Sequence, residues 1–156
     1  YGDKLYWHIR RMVVSREDAE DAMQEMSIKV YSKLDSFKGD SSLFTWMYTI
    51  ATNEALQVLR KQAGLFRSLD DSDLANSLVD TLYAENAVEC SAAEIIFQEA
   101  LLQLPTQQRL AFNMRYYDEL TYEEMAAVTG KNVSTLKSNY HFAVEKVKKF
   151  IKENAI

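Results

Sequence analysis

The sequence predicts an all-α protein with two small helical domains joined by an acidic linker, the second containing a helix-turn-helix. Only 4 Gly and 1 Pro occur in 156 residues, so little interrupts helix formation. Apolar side chains recur at three- and four-residue spacing in several segments. Acidic residues are concentrated in the middle. These features divide the chain into a first unit at 1–63, a linker at 64–92 and a second unit at 93–156.

The first unit should contain three helices. An apolar stripe predicts the first of them, and it comprises Tyr6, Ile9, Met12 and Val13. Ser15 and Asp18 resemble a capping box, in which an acid three residues after a serine bonds back to its amide, so the second helix should begin there. It should continue to about Leu34. A polar loop at 37–42 then precedes a long amphipathic helix at about 43–62.

The segment 64–92 is expected to be a weakly structured, flexible linker. From Ser68 to Glu94 there are seven acids and no Lys or Arg. The second unit should open with a helix that ends before Pro105. Pro105 should start the next helix, because the first turn does not need its missing amide. The expected buried face of that helix comprises Leu110, Phe112, Met114 and Tyr117.

The segment 120–150 predicts the helix-turn-helix. Ala126 is small enough for a second helix to cross closely, Gly130 suits a turn with positive φ, and Leu136 should point back into the crossing. An ordinary pair of antiparallel helices is the alternative. Such a motif places its second helix in a DNA major groove.

The second helix of the motif should present a polar face for DNA. Ser134 could cap this helix, while Lys137 and Ser138 could reach base edges. From Lys131 to Lys152 there are six lysines and one acid, which suits phosphate contacts. The alternative is a solvated lysine face.

Two further surfaces stand out in the first unit. Asp18, Asp21 and Glu25 should share a helical face that suits a basic partner, although such ridges are often only solvated. Phe44, Trp46 and Tyr48 beside the polar loop could stack on unpaired bases, although a single aromatic residue more often belongs to the core. Asn53, Gln57, Arg60 and Lys61 fall near one face and could follow a nucleic-acid backbone.

Composition argues against several classes of protein. The net charge of −5 disfavours nucleic acid at first, but without the seven acids between Ser68 and Glu94 the chain has 18 basic and 16 acidic residues. His8 and His141 are far apart, and Cys90 has no partner at ligand spacing, so we expect no catalysis, metal or cofactor. A single cysteine and the absence of a signal peptide or membrane span suit the cytoplasm. Because the chain begins with Tyr1, we expect a short native segment before it.

These motifs, taken in order, resemble bacterial sigma factors of the extracytoplasmic-function (ECF) group of the sigma-70 family. Residues 18–61, beginning DAEDAMQEM, are similar to sigma region 2, and residues 101–149, beginning LLQLPTQQR, are similar to region 4. The resemblance implies a factor that binds core RNA polymerase, directs it to promoters and helps to open them. It also implies an anti-sigma partner and no enzymatic activity of its own.

The resemblance assigns residues to three surfaces. The surface for polymerase comprises Asp21, Gln24, Glu25, Ser27 and Tyr31. The parts of polymerase that the family binds are the β′ coiled coil and the β flap. The surface for the minus-ten promoter element comprises Lys38, Asp40, Ser41, Ser42, Phe44, Trp46, Asn53 and Arg60, with Thr45 adjoining. The surface for the minus-thirty-five element comprises Lys131, Ser134, Thr135, Lys137, Ser138, His141 and Phe142.

The chain departs from the family where arginines are common. Thr49 and Thr52 replace them in the first unit, and Asn139 and Phe142 replace them in the second. Fewer phosphate contacts predict weak DNA binding by the free chain. Two other hypotheses remain at this point. One is a stand-alone helix-turn-helix regulator, with residues 1–62 as a ligand-binding or dimerisation domain, and the other is a helical adaptor for basic proteins.

Overall fold

A computed structural model describes residues 1–39, 41–65, 71–86 and 91–154, and these residues contain helices and connecting turns but no strand. The α-helices are α1 (Gly2–Val13), α2 (Arg16–Lys33), α3 (Leu43–Leu65), α4 (Asp71–Asn86), α5 (Ala92–Leu102), α6 (Thr106–Tyr116), α7 (Tyr122–Thr129) and α8 (Val133–Asn154). A 3₁₀ turn at Leu34–Ser36 follows α2. The all-α prediction is confirmed.

Helix starts follow the capping residues in the sequence. The Ser15 hydroxyl accepts a hydrogen bond from the Asp18 amide at 3.3 Å, which satisfies one amide of the first turn of α2. The reciprocal capping boxes occur instead at α5 and α7. They use Ser91 with Glu94 and Thr121 with Glu124.

Helices α1, α2 and α3 pack together as the first unit. The predicted stripe of α1 is buried at Ile9, Met12 and Val13, and Tyr6 is half-buried against the core. Ala51 and Ala55 bring α3 close to its neighbours because their side chains are small.

The second unit contains α5 to α8. Phe112, Ala143 and Val147 are buried where α5, α6 and α8 meet. Gly130 ends α7 with φ of 74° and donates its amide to the Ala126 carbonyl at 2.8 Å, so the predicted turn is confirmed. Leu136 is buried beneath α7, as the spacing indicated.

Three local expectations were wrong. Residues 71–86 form helix α4 rather than a weakly structured connection, because Leu78 and Leu82 find buried positions against the rest of the chain. Pro105 is the residue before α6 and has extended backbone, so the helix begins at Thr106. The cap of α8 comes from Asn132, whose Oδ1 accepts from the Thr135 amide at 2.7 Å, whereas Ser134 lies inside the first turn.

The two units also pack against each other, which the sequence did not predict. Helix α6 contacts α1, and α7 contacts α3. Buried residues from both units therefore form one continuous apolar cluster, which runs from Leu5 in α1 to Leu136 in α8.

We predict opposite effects of alanine at two glycines. Nothing lies within 4 Å of a Cβ built at either Gly130 or Gly64, so neither substitution is hindered by packing. Gly130→Ala should lower the free energy of unfolding by about 1 kcal/mol, because Gly130, unlike Gly64, has positive φ. Gly64→Ala, the matched control within α3, should be neutral or stabilising by up to about 1 kcal/mol. Urea denaturation of both variants measures this, and equal effects would contradict the prediction.

Candidate polymerase and nucleic-acid interfaces

The outer face of α2 is a continuous exposed surface. Its inner face is occupied by Ala19, Ala22 and Met26, which pack into the core. The five residues assigned to polymerase are all exposed, namely Asp21, Gln24, Glu25, Ser27 and Tyr31. Tyr31 is 87% exposed, and Ile28 beside it is 61% exposed. A monomer gains nothing by exposing large apolar side chains together, so this face suits a macromolecular partner.

Polar contacts fix α2 on α3. The Lys29 ammonium pairs with the Glu54 carboxylate, which is mostly buried, and this hydrogen bond raises the pKa of Lys29. Asp18 accepts a hydrogen bond from the Gln62 amide at 2.8 Å. Asp18 therefore helps to orient the helices, and the free acidic ridge is reduced to Asp21 and Glu25.

The loop before α3 brings most of the expected minus-ten residues together. Ser42 caps α3 by accepting from the Thr45 amide at 3.0 Å, so its hydroxyl has a structural role. Lys38 is exposed and Ser41 is half-buried. Asp40 lies outside the described residues. Asn53 and Arg60 are exposed further along α3, so they are displaced from the loop along the helix axis by several turns.

The aromatic residues of this surface are partly covered. Trp46 is half-buried, with its ring centroid 5.2 Å from that of Phe37. Phe44 is half-buried beneath the Tyr1 ring at 5.2 Å and the Lys4 ammonium at 5.4 Å. Neither ring is buried core, and each could stack on a base after a small movement of its cover.

Helix α8 presents the expected reading face. Ser134, Thr135, Lys137, Ser138, His141 and Phe142 are all exposed, and Lys131 is half-buried at the turn. The opposite stripe, including Leu136 and Val147, packs on α7 and on the second unit. Phe142 is 52% exposed, and an exposed aromatic on a polar face can contact a thymine methyl group.

The sequence analysis missed a buried polar network between the two units. The Tyr48 hydroxyl of α3 donates to Oδ2 of Asp118, in the loop between α6 and α7, at 2.7 Å. The His8 ring of α1 stacks on Tyr48, with Nδ1 3.0 Å from the hydroxyl and Nε2 2.7 Å from the Thr52 hydroxyl. Arg11 lies 3.6 Å from Asp118.

Burial determines the protonation of this network. Desolvation, with a smaller effect of Arg11, lowers the pKa of His8 to about 3, so the imidazole is neutral. Burial followed by the charge of Asp118 raises the pKa of Tyr48. Burial also raises the pKa of Asp118, against the Tyr48 hydrogen bond and the cations Arg11 and Lys4. The tautomer of neutral His8 sets which nitrogen donates, either Nδ1 to the Tyr48 hydroxyl oxygen or Nε2 to the Thr52 hydroxyl oxygen. The Thr52 hydroxyl itself donates to the Tyr48 carbonyl at 2.8 Å.

Arg109 of α6 is a second missed residue. It is 2% exposed, and its Nη1 donates to the carbonyl oxygens of Arg11 at 2.9 Å and Met12 at 2.7 Å. These carbonyls belong to the last turn of α1, where no later amide of the helix is available to donate a hydrogen bond to them. Burial lowers the pKa of Arg109 to about 10. The guanidinium of the second unit thus supplies hydrogen-bond donors to the end of a helix in the first unit.

A sequence signal for these residues existed. His8 lies beside the apolar stripe of α1, and Tyr48 has helical spacing with Ala51, Ala55 and Leu59 on the inner face of α3. A polar group in such a stripe needs a buried partner. The partner itself could not be read from the sequence, because Asp118 lies 70 positions after Tyr48.

Among the described residues, no cluster of His, Cys, Asp and Glu could hold a metal ion. No helix in that part of the chain is long and apolar enough to cross a membrane.

Comparison with known proteins decides the family. The family model for sigma-70 region 2 matches residues 1–64, and that for sigma-70 region 4 matches residues 94–147. The ECF RNA polymerase sigma-E factor of Escherichia coli K12 is 35% identical, over 91% of this chain and 80% of the relative. The ECF RNA polymerase sigma factor SigW of Bacillus subtilis is 30% identical, over 98% of this chain and 86% of the relative. The chain belongs to the ECF sigma factors.

Solved sigma factors share the fold. The sigma factor RpoE of Bartonella quintana, in complex with the anti-sigma factor NepR, superposes with a TM-score of 0.73 at 24% identity, covering 98% of this chain and 92% of that one. CnrH, in complex with the cytosolic domain of CnrY, superposes with a TM-score of 0.69 at 18% identity, covering 99% of this chain and 84% of that one. As a member of the ECF sigma factors, this chain binds core RNA polymerase, directs it to promoters and assists their opening.

We predict that the stability of this sigma factor decreases between pH 7 and pH 5. The pKa of His8 is lower in the folded chain, so the unfolded chain binds more protons as the pH falls below 6.5. That difference lowers the free energy of unfolding by about 2 kcal/mol at pH 5. The raised pKa of Asp118 acts with opposite sign and reduces the decrease.

Urea denaturation at the two pH values measures this effect. His8→Gln should flatten the pH dependence, and His141→Gln, which removes an exposed imidazole, is the matched control. An unchanged slope in His8→Gln would show that other groups cause the dependence.

Proposed function

We propose that the exposed face of α2 is the surface by which this sigma factor holds core RNA polymerase. Its two free carboxylates, Asp21 and Glu25, complement a basic partner, while Ile28 and Tyr31 supply apolar area beside them. Aromatic side chains at the centre of a contact contribute most to affinity, with charges at the rim guiding association. The resemblance to the family makes the β′ coiled coil the partner. We assign no residue to the β flap.

The loop before α3, together with Phe44 and Trp46, is proposed to hold the minus-ten element. Each ring is half-buried and could accept an unstacked base once a neighbouring side chain moves. Asn53 and Arg60, exposed along α3, would follow the backbone. The exposed Lys38 would contact a phosphate at the loop.

The exposed face of α8 is proposed to read the minus-thirty-five element. Lys137 can donate to guanine, Ser138 can bond to any base, and Phe142 can contact a thymine methyl. Asn132 caps the helix through its Oδ1, and the remaining first-turn amides point outward, toward a phosphate. The lysines of α8 other than Lys137 are assigned to phosphates.

The sigma factor itself is proposed to perform no catalysis, since nucleotide addition belongs to the polymerase that it binds. Its place of action is then that of polymerase, the cytoplasm. Regulation by an anti-sigma factor is proposed because two solved relatives were captured with one.

Copurification with core polymerase followed by run-off transcription tests the whole proposal. Promoter-dependent transcripts are expected only when the chain is added. A stand-alone regulator would bind its operator tightly as a dimer and would not program core polymerase. An adaptor would bind protein but would show no dependence on the promoter sequence.

We predict that Glu25→Lys weakens binding to core polymerase at least tenfold. The reversal places a cation against a basic partner, and like charges across an interface cost at least the 1.4 kcal/mol that a tenfold change requires. Competition for fluorescently labelled core enzyme measures the affinity. Asp3→Lys makes the same charge change on α1 and should have little effect. Equal losses in both variants would indicate long-range electrostatics and contradict a contact on α2.

We predict different behaviour for two lysines of α8. Lys137→Ala should reduce transcription from the cognate promoter by about tenfold or more and relax specificity at one position of the minus-thirty-five element. Lys149→Ala, also exposed, should weaken binding on all promoters alike. Run-off transcription on a set of promoters with single base changes separates the two effects.

Without polymerase, the same sigma factor should bind duplex promoter DNA weakly. Asn139 and Phe142 stand where the family commonly has arginine, so few phosphates are neutralised. A gel shift of the free chain checks this, and tight binding that resists salt would contradict it.

A further inference from the structure

A cavity lies among four helices, at a place that none of the surfaces proposed above uses. Its volume is about 310 Å³, and α1, α4, α5 and α6 all contribute to its wall. The apolar part of the wall includes Val14, Leu82 and Leu101, each of which is buried. An engineered apolar cavity of about 150 Å³ holds one benzene molecule, so this volume is enough for a ligand of about two rings.

Two residues on the wall have a buried polar atom without a hydrogen-bond partner among the described residues. Asn113 of α6 is 1% exposed, and the unpaired atom is its Oδ1. In Arg11 of α1 the atom is Nη1, because Asp118 at 3.6 Å is close enough for an ion pair but too distant for a hydrogen bond. Leaving a buried polar atom unpaired costs free energy, so a ligand that pairs both atoms removes that cost when it binds.

Other polar side chains on the wall already have partners. Arg10 donates from Nε to the Val14 carbonyl oxygen at 2.8 Å and from Nη2 to Glu85 at 2.9 Å. Gln98 donates from Nε2 to the Tyr117 hydroxyl at 3.0 Å. These contacts fix the shape of the wall and leave the two unpaired atoms to select a ligand.

The Arg11 guanidinium is ordered before any ligand binds. Its carbon Cζ lies 4.1 Å from the centre of the Tyr117 ring, which attracts the cation. The ion pair with Asp118 holds it from another side. A donor that is already ordered loses little conformational entropy when it bonds to a ligand.

The charges around the cavity favour a neutral ligand. Arg10 and Arg11 both line it, so they repel a cation. A carboxylate is repelled by Asp118, which shares Arg11, and it has no proton to donate to Asn113 Oδ1. A primary carboxamide supplies both missing partners, since its oxygen accepts from Arg11 and its NH₂ group donates to Asn113.

The mouth of the cavity is marked by Trp7 of α1. This side chain lines the cavity and is 50% exposed, so a ligand can enter beside it from solvent. An indole at the mouth also offers an aromatic face to a flat ligand.

We propose that this cavity binds a small neutral ligand with an apolar body of about two rings and a terminal carboxamide, which pairs with Arg11 Nη1 and Asn113 Oδ1. The ligand contacts helices of both units and the segment between them. This site goes beyond the proposed function and does not depend on it, because it is separate from the surfaces for polymerase and for promoter DNA.

Nuclear magnetic resonance of the ¹⁵N-labelled chain, without polymerase or DNA, tests the site. The probe is naphthalene-2-carboxamide, for which we expect a dissociation constant of about 1 mM or tighter. The indole N–H signal of Trp7 should shift and saturate, because that ring lines the cavity. The indole of Trp46, which lies against Phe37, is the internal control and should not shift. No saturable shift at Trp7, or equal shifts at both indoles, would overturn the proposal.

Two charged probes of the same shape test the choice of a carboxamide. Naphthalene-2-carboxylate cannot donate to Asn113, and 2-naphthylmethylammonium cannot accept from Arg11. Each should bind at least tenfold more weakly than the carboxamide. Equal or tighter binding of either probe would refute this class of ligand.

Substitution of two amides on α6 tests the pairing. Asn113→Leu keeps the size of the side chain and removes Oδ1, so it should weaken the probe about tenfold. Gln108→Leu is the matched control, since Oε1 of Gln108 is also buried without a partner among the described residues but lies outside the cavity. The control should bind the probe like the parent. Equal affinities in the two variants would contradict the pairing with Asn113.

A third variant guards against misfolding of Asn113→Leu. Ile95 of α5 is half-buried in the wall, so Ile95→Phe places a ring in the volume that the ligand needs. The saturable shift of Trp7 should disappear, while circular dichroism shows the helix content of the parent. Undiminished binding to folded Ile95→Phe would show that the probe lies elsewhere and would overturn the site.

Discussion

The hydrogen bond from Tyr48 to Asp118 is the contact around which the two units are arranged. It joins the middle of α3 to the loop that leads into the helix-turn-helix, and it lies in a position that excludes water. His8 and Thr52 continue the network into the first unit, so each hydroxyl and ring nitrogen has a partner. Because a buried carboxylate is costly without such partners, this loop has one favourable position on α3.

Arg109 makes the two units dependent on each other in a second way. The last turn of α1 needs donors that α1 itself cannot supply, and the Arg109 guanidinium from α6 supplies them. Neither unit therefore presents a fully satisfied surface when it stands alone. An interface of this kind is specific in geometry but only moderately stable, because water can replace each of its polar contacts when the units separate.

The surfaces proposed for polymerase and for the minus-thirty-five element lie away from this junction. The outer face of α2 and the polar face of α8 are both exposed while the two units are packed together. Each face is therefore accessible to a macromolecular partner without any change in the packing of the units.

The sequence by itself determined the helices, the helix-turn-helix and the exposed faces, because these depend on local spacing, caps and the φ of Gly130. The resemblance to the family assigned the residues proposed for polymerase and for promoter DNA, although Ser134 proved not to cap α8 and Ser42 proved to cap α3. Only the tertiary structure decided that α4 is helical, that the second unit rests on the first, and that His8, Tyr48, Arg109 and Asp118 are buried. These features come from contacts between residues about 40 to 100 positions apart, and no local pattern encodes which polar group will meet which.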